Sequence, residues 1–224
     1  MGIMVEVSGK YASFNRPEFK VERMTYEVMT PSAARGILDS IYWHPGLSWH
    51  IDKIYVLNPI NFTSFRRNEV KSRLLPSQVK AIINGKKSSL YIDASSDIQQ
   101  RSAVVLKDVH YIIEAHFEIT SKASKTDNSG KFQSIIKRRL KNGQCFNQPY
   151  LGCREFSATF KEWEGNTDDI QTAYPNSTKD LGLMLYDMDY HDTDCTNSRD
   201  VTPMFFKAIL KNGVLDIENS EVFC

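Results

Sequence analysis

Four cysteines are all this chain has, and none stands in a CxxC pair or at metal-ligand spacing from a histidine. That excludes a disulfide framework or a zinc ribbon as the organising device and predicts a reduced, intracellular protein. No apolar run approaches the roughly eighteen residues that span a bilayer, so no membrane partner is expected. The opening MGIMVEVSG goes straight into strand-like alternation, without the charged start, apolar stretch and cleavage site of a secretory leader. The expected location is the cytoplasm. Internal repeats and low-complexity tracts are also missing, and net charge is nearly so, at +1 over 224 residues.

That small net charge hides a division. Residues 1–141 carry 22 Lys+Arg against 13 Asp+Glu, and residues 142–224 carry 6 against 14. A first part at +9 beside a last part at −8 suggests a polyanion-binding face joined to an acidic module. The cations concentrate in two places. Between 66 and 87, Arg66, Arg67, Lys71, Arg73, Lys80, Lys86 and Lys87 face the single acid Glu69. A solvated loop is the ordinary reading of such a stretch, and an arm that tracks a nucleic-acid backbone is the sharper one. The second place is SGKFQSIIKRRLKNG, Ser129–Gly143. Phe132, Ile135, Ile136 and Leu140 make one helical face, Lys131, Lys137, Arg138, Arg139 and Lys141 cover the rest, and Gly143 stops it.

The pattern of elements predicts a strand at 3–9 and a helix at 31–43 with Thr30 as cap and Pro31 at its first position. A strand at 50–58 follows, then a long basic insertion over 60–108. In it, Asn61–Phe65 reads as a short strand, and Leu90–Asp93 and Ala103–Lys107 as the strands of a hairpin. Val109–Ile119 alternates cleanly, putting Val109, Tyr111, Ile113, Ala115 and Phe117 on one face and His110, Glu114 and His116 on the other. The basic helix at 129–142, with Ser129 as its cap, and a strand at 154–163 complete the order βαββαβ. This is the order of a ferredoxin-like, RRM-like α+β domain over 1–165. The remainder, 166–224, reads as a small antiparallel β domain. It has strands at Met184–Tyr190, Met204–Leu210 and Val214–Ile217, the last two joined at Asn212-Gly213.

SIYWHP at 40–45, LKDVHYIIEAHFEI at 106–119, the GK opening the second helix and YLGCREF at 150–156 resemble a CRISPR-associated family. It is the fifth Cas protein family in its subtype I-C (Dvulg) form, part of the RAMP superfamily, and the resemblance runs from the first strand to the C-terminal hairpin. What it implies is a ferredoxin-like domain with a small β domain that binds the hairpin of the CRISPR repeat transcript. Such a protein cuts the precursor at the 3′ base of the hairpin without metal or other cofactor. It then stays on the mature 5′ handle, beside the backbone and large subunits of the type I-C interference complex. Non-specific DNA binding is a further expectation from the charge.

The resemblance also implies cleavage residues: a Tyr ending the first helix, here Tyr42, and a Lys-His pair opening the second, here Lys131 and Phe132. Attack of a 2′-hydroxyl on the adjacent phosphate needs a group to orient the hydroxyl, a cation for the growing charge and a proton for the leaving oxygen. Phenylalanine can neither transfer a proton nor hydrogen-bond phosphate, so the third role falls to His44, His110 or His116. Two alternatives belong beside this reading. One is a handle-binding subunit that cuts slowly or not at all. The other is a metal-dependent nuclease using Asp187, Asp189, His191, Asp192 and Asp194.

Overall fold

The computed structural model describes residues 2–19, 21–86, 89–190 and 201–224. Lys87, His191, Asp192, Asp194 and Cys195 therefore lie outside the described residues. Over the described residues the fold is mixed α/β, a mostly antiparallel ten-stranded sheet with three α-helices. Strand β1 (Gly2–Ala12) lies one strand in from an edge, burying Ile3, Val5 and Val7 toward the helices. On one side it pairs antiparallel with β5 (Ile98–Ile119), Val5 opposite Ile113. On the other it pairs with the short β6 (Thr159–Glu162), Val7 opposite Phe160. Strand β3 (Leu47–Val56) pairs with β5 from the outside, so these four strands lie in the order β3-β5-β1-β6.

Two helices cover one face of that sheet. Helix α1 (Pro31–Ile41) starts as its sequence demands: Pro31 opens it and the Ala33 N–H donates to Thr30 Oγ1 at 3.3 Å. It buries Ala34, Ile37, Leu38 and Ile41. Helix α3 (Ser129–Asn142) ends on Gly143 at φ 62° and buries Phe132, Ile136 and Leu140. Its cap is Asn128, one residue before the expected Ser129; Asn128 Oδ1 accepts the Lys131 N–H at 2.9 Å. Both helices share one apolar core with Val5, Val7, Ile113, Ala115 and Phe117. The alternate residues Glu6, His110, Glu114 and His116 face the opposite side.

The basic insertion departs from its expected form. Strand β5 is 22 residues long, and its first half pairs antiparallel with β4 (Phe62–Val70), Phe65 opposite Ala103, and parallel with the two-residue β2 (Arg23–Met24). Leu90–Asp93 is not a strand; helix α2 (Pro76–Ile83) fills the turn region instead. The polar break Lys107-Asp108 hides the continuity of β5, because Asp108 sits at φ 53° where the strand passes from the hairpin into the main sheet. The strand expected at 154–163 is also shorter, since only Thr159–Glu162 joins the sheet and the YLGCREF segment is a loop.

After residue 165, β7 (Thr178–Asp189), β8 (Thr202–Lys211), β9 (Val214–Asp216) and β10 (Val222–Phe223) extend the same sheet, with Ile54 of β3 opposite Leu215 of β9. Asn212 and Gly213 both adopt positive φ, 53° and 75°, as a two-residue hairpin turn requires. Strand β7 starts earlier than expected, because irregularities at Asp180/Gly182 and Leu185/Asp187 break its alternation. It is tied to α1 by a bidentate pair, in which Arg35 Nε and Nη2 donate to Asp187 at 2.7 and 2.9 Å.

Candidate active site

The end of α1 and the start of α3 meet over the same patch of core. Helix α1 stops because Tyr42 turns extended (φ −149°, ψ 114°), and the Tyr42 carbonyl then accepts the Trp49 Nε1–H at 3.0 Å. The phenol ring packs on Phe132 (centroids 6.1 Å apart) and under the Arg139 guanidinium, 5.0 Å away. Burial raises the Tyr42 pKa, with Lys131 and Arg139 pulling against it. At neutral pH Tyr42 is therefore a neutral phenol, able to orient a hydroxyl and unsuited to take its proton.

Three residues further along the chain than Pro31–Ile41, His44 completes the cluster. Its Nδ1 accepts the Gly46 N–H at 3.0 Å, which fixes the neutral tautomer with its proton on Nε2. That Nε2 lies 3.9 Å from Asp127 Oδ2, and the ring rests against Phe132 at 5.1 Å. Gly46 makes the approach possible, because a Cβ there would come within 2.7 Å of the Ala123 backbone. Asp127 gathers the remaining groups. Its Oδ1 accepts from Lys131 Nζ at 2.8 Å and its Oδ2 from the Ser124 N–H at 2.8 Å. The Lys131 ammonium first, and Ser124 after it, hold the Asp127 carboxyl well below the usual carboxylate range.

The fold thus brings Tyr42, His44 and Lys131 together around Phe132, and adds Asp127, which sequence reasoning missed. Its signal was the i, i+4 spacing to Lys131 just ahead of a helix start. His110 and His116 lie on the opposite face of the sheet, away from this cluster. His110 Nε2 is 2.8 Å from Glu6 Oε1, a carboxylate that Lys161 Nζ also reaches at 3.0 Å. His116 Nδ1 is 2.6 Å from Asp52 Oδ1, and its ring stacks on His50 at 5.2 Å.

The predicted phosphate contacts divide in the same way. Arg66, Lys71, Arg73, Lys86, Lys137, Arg138 and Lys141 are exposed. Arg67 instead pairs with Glu155 over the Phe156 ring, and Arg139 turns inward to donate to the Ile41 carbonyl, satisfying the end of α1. In the acidic segment both Asp187 carboxylate oxygens accept from the Arg35 guanidinium. Among the described residues no group of three or more His, Cys, Asp or Glu side chains could hold a metal ion.

Removing the Asp127 carboxylate tests this electrostatic account. A group whose pKa falls on folding stabilises the fold above its unfolded value, about 3.9 for Asp, and loses that contribution as pH drops through the folded value. Asp127→Asn should therefore lower Tm at pH 7, and the gap to wild type should close as the melts are taken below about pH 4. A gap that is constant with pH contradicts the Lys131–Asp127 pairing.

The profile of the family described as "CRISPR-associated protein (Cas_Cas5)" matches residues 2–218. Two curated relatives, each named CRISPR pre-crRNA endoribonuclease Cas5d, align along nearly the full chain. The one from Mannheimia succiniciproducens is 48% identical over 219 residues, covering 96% of this chain and 94% of the relative. The one from Thermus thermophilus is 37% identical over 227 residues, covering 96% and 90%. A crystal structure titled as a CRISPR-associated protein superposes with a TM-score of 0.69 at 23% identity, covering 97% of this chain and 91% of the other. With a profile match over almost its whole length and two such relatives, the chain belongs to the CRISPR-associated Cas5 family, in its subtype I-C (Cas5d) form.

Proposed function

We propose that the chain cuts precursor CRISPR RNA at the base of the repeat hairpin, by metal-independent attack of a 2′-hydroxyl on the adjacent phosphate. The observation that carries this is the convergence of Tyr42, His44 and Lys131 at one helix junction, in a chain whose relatives are named for pre-crRNA cleavage. The Tyr42 hydroxyl orients the attacking 2′-OH, and the Lys131 ammonium faces the charge that builds on the phosphoryl oxygens. The His44 Nε2–H hydrogen-bonds the leaving 5′ oxygen, which is the donor that Phe132 cannot provide. The 2′-O–P bond forms and the P–O5′ bond breaks; the 2′ proton leaves to solvent and the 5′ oxygen takes one back. The products are a 2′,3′-cyclic phosphate and a 5′-hydroxyl, and their end chemistry after cleavage in excess EDTA is the direct test.

The adjacent strands β3-β5-β1-β6 with α1 and α3 on one face support a ferredoxin-like βαββαβ reading of residues 1–165. Residues 166–224 then act as a β module added to its edge. The product handle stays bound, and the subunit meets the backbone and large subunits of the interference complex through it, in the cytoplasm. No helix among the described residues is long and apolar enough to cross a membrane. A second reading, a handle-binding subunit that cuts slowly, is favoured by one observation: the family's histidine position is Phe132, 0% exposed and part of the core.

Binding should be strongly salt-dependent. If about five of the exposed cations on β4, α2 and α3 contact phosphates, log affinity against log salt should fall with a slope near −4. A titration of repeat RNA between low and moderate salt checks this. A slope flatter than about −1 contradicts phosphate tracking by these elements.

A further inference from the structure

We propose that the loop after α3 presents Tyr150 as a stacking platform for an unpaired nucleobase, in a groove along α1 that leads to the cleavage cluster. The inference rests on the RNA-cleavage reading above and assigns it a site for the single-stranded RNA flanking the cut.

Two cavities, of about 420 and 270 Å³, lie along the same side of α1 and share one wall, Tyr150. Ala33, Gly36 and Ser40, at successive turns of α1, line them. A Cβ on Gly36 would meet nothing within 4 Å, so this stretch of the helix is an open floor. Ser40 is two residues before Tyr42. Its carbonyl accepts the N–H groups of Phe146 and Asn147 at 2.9 and 3.0 Å, which docks the loop onto the last turn of α1.

The loop itself is held rigidly. Leu151 is fully buried, and its carbonyl accepts the Ser13 N–H at 3.0 Å. Gly152 sits at φ +81° with the Ser13 carbonyl oxygen only 2.1 Å from where a Cβ would be, a place no other residue can take. The Leu151 N–H donates to the Phe156 carbonyl, the Phe156 N–H to the Cys153 carbonyl, and the Ala158 N–H to the Pro149 carbonyl, at 2.8, 2.9 and 2.8 Å. Against this stiff backbone, Tyr150 is 38% exposed and Arg154 is exposed as well. The ring is thus held as the shared wall of two open cavities, where a planar ligand can stack on it.

The larger cavity is lined by Ser40, Asn147, Gln148, Tyr150 and Arg154. The Gln148 Nε2–H₂ donates to the Ala158 carbonyl at 2.9 Å, so its Oε1 is left as an acceptor. An aromatic face, an oriented amide and one arginine are the chemistry that takes an unstacked base by its face, its edge and its phosphate. Inside a duplex each base face is covered by its stacked neighbours, so the base that takes this ring by its face and edge together is an unpaired one.

The test uses the full chain and a repeat-hairpin RNA with unpaired flanks, carrying 2-aminopurine at one flank position at a time. Wild-type protein should change the fluorescence at one or two flank positions next to the cut. Tyr150→Ala should abolish that change and weaken binding about tenfold, Tyr150→Phe should retain both, and Arg154→Ala should weaken binding without removing the fluorescence change. Thermal melts of the variants establish that they fold. If wild type binds and cuts the RNA but no flank position responds, or Tyr150→Ala responds as wild type does, the platform is refuted while the cleavage reading stands. If wild type neither binds nor cuts, the cleavage reading fails, and the platform with it.

Discussion

Lys131→Ala should reduce single-turnover cleavage of repeat RNA about 100- to 1,000-fold, the cost of losing one preorganised charge donor to a transition state. Affinity for the same RNA should stay within about threefold, because one phosphate contact among several carries little of the binding. The physical ground is the position of the ammonium. It stands at the first turn of α3, half exposed, and Asp127 holds it at 2.8 Å. Restraint of that kind lowers the reorganisation needed when charge appears on the phosphate. Lys131→Arg keeps the charge but replaces a compact head with a planar fork that the Asp127 site was not built for, so it should recover cleavage only in part. Equal losses of binding and cleavage in Lys131→Ala would make Lys131 a plain phosphate contact and move the chemistry elsewhere.

The second large effect concerns His44. Replacing it with alanine should slow cleavage about 100-fold, whereas His110→Ala and His116→Ala should leave the chemical step nearly unchanged. Those two histidines are engaged with Glu6 and Asp52 on the far face of the sheet. The tautomer makes a sharper discrimination possible. Because the Gly46 N–H occupies Nδ1, the ring offers Nε2–H as a hydrogen-bond donor and has no free lone pair to collect a proton. His44→Gln, which can still donate an N–H from a similar place, should therefore keep activity within about tenfold of wild type, well above His44→Ala. If glutamine is as poor as alanine, His44 transfers a proton in full and must break its contact with Gly46 to do so.

Much of this molecule was legible where the signal was local. Thr30-Pro31 specified the start of α1, Gly143 the end of α3, and Asn212-Gly213 the last hairpin turn, each through a backbone requirement that few residues meet. Tyr42 and Lys131 came from resemblance, and only the fold shows that they share a core residue, Phe132. What was not legible depended on distant pairing. β4 selects the first half of β5 as its partner across 27 residues of insertion, and nothing local in Leu90–Asp93 distinguishes it from a strand. Arg139 reads as one more surface cation in the sequence, yet it follows Ile135 by four residues, on the edge of the apolar stripe, and reaches the Ile41 carbonyl. Arg67 similarly finds Glu155, 88 positions away.

The central claim, that the α1–α3 junction cuts RNA without metal and without a histidine at position 132, is tested most directly by single-turnover cleavage of repeat RNA in excess EDTA. Wild type, Lys131→Ala and His44→Ala should be measured side by side, with binding of each measured in parallel. The account predicts one cut at the hairpin base by wild type, strongly slowed in both variants while binding persists. Tight binding by wild type with no cut, or a cut that appears only when a divalent metal is restored, would contradict it.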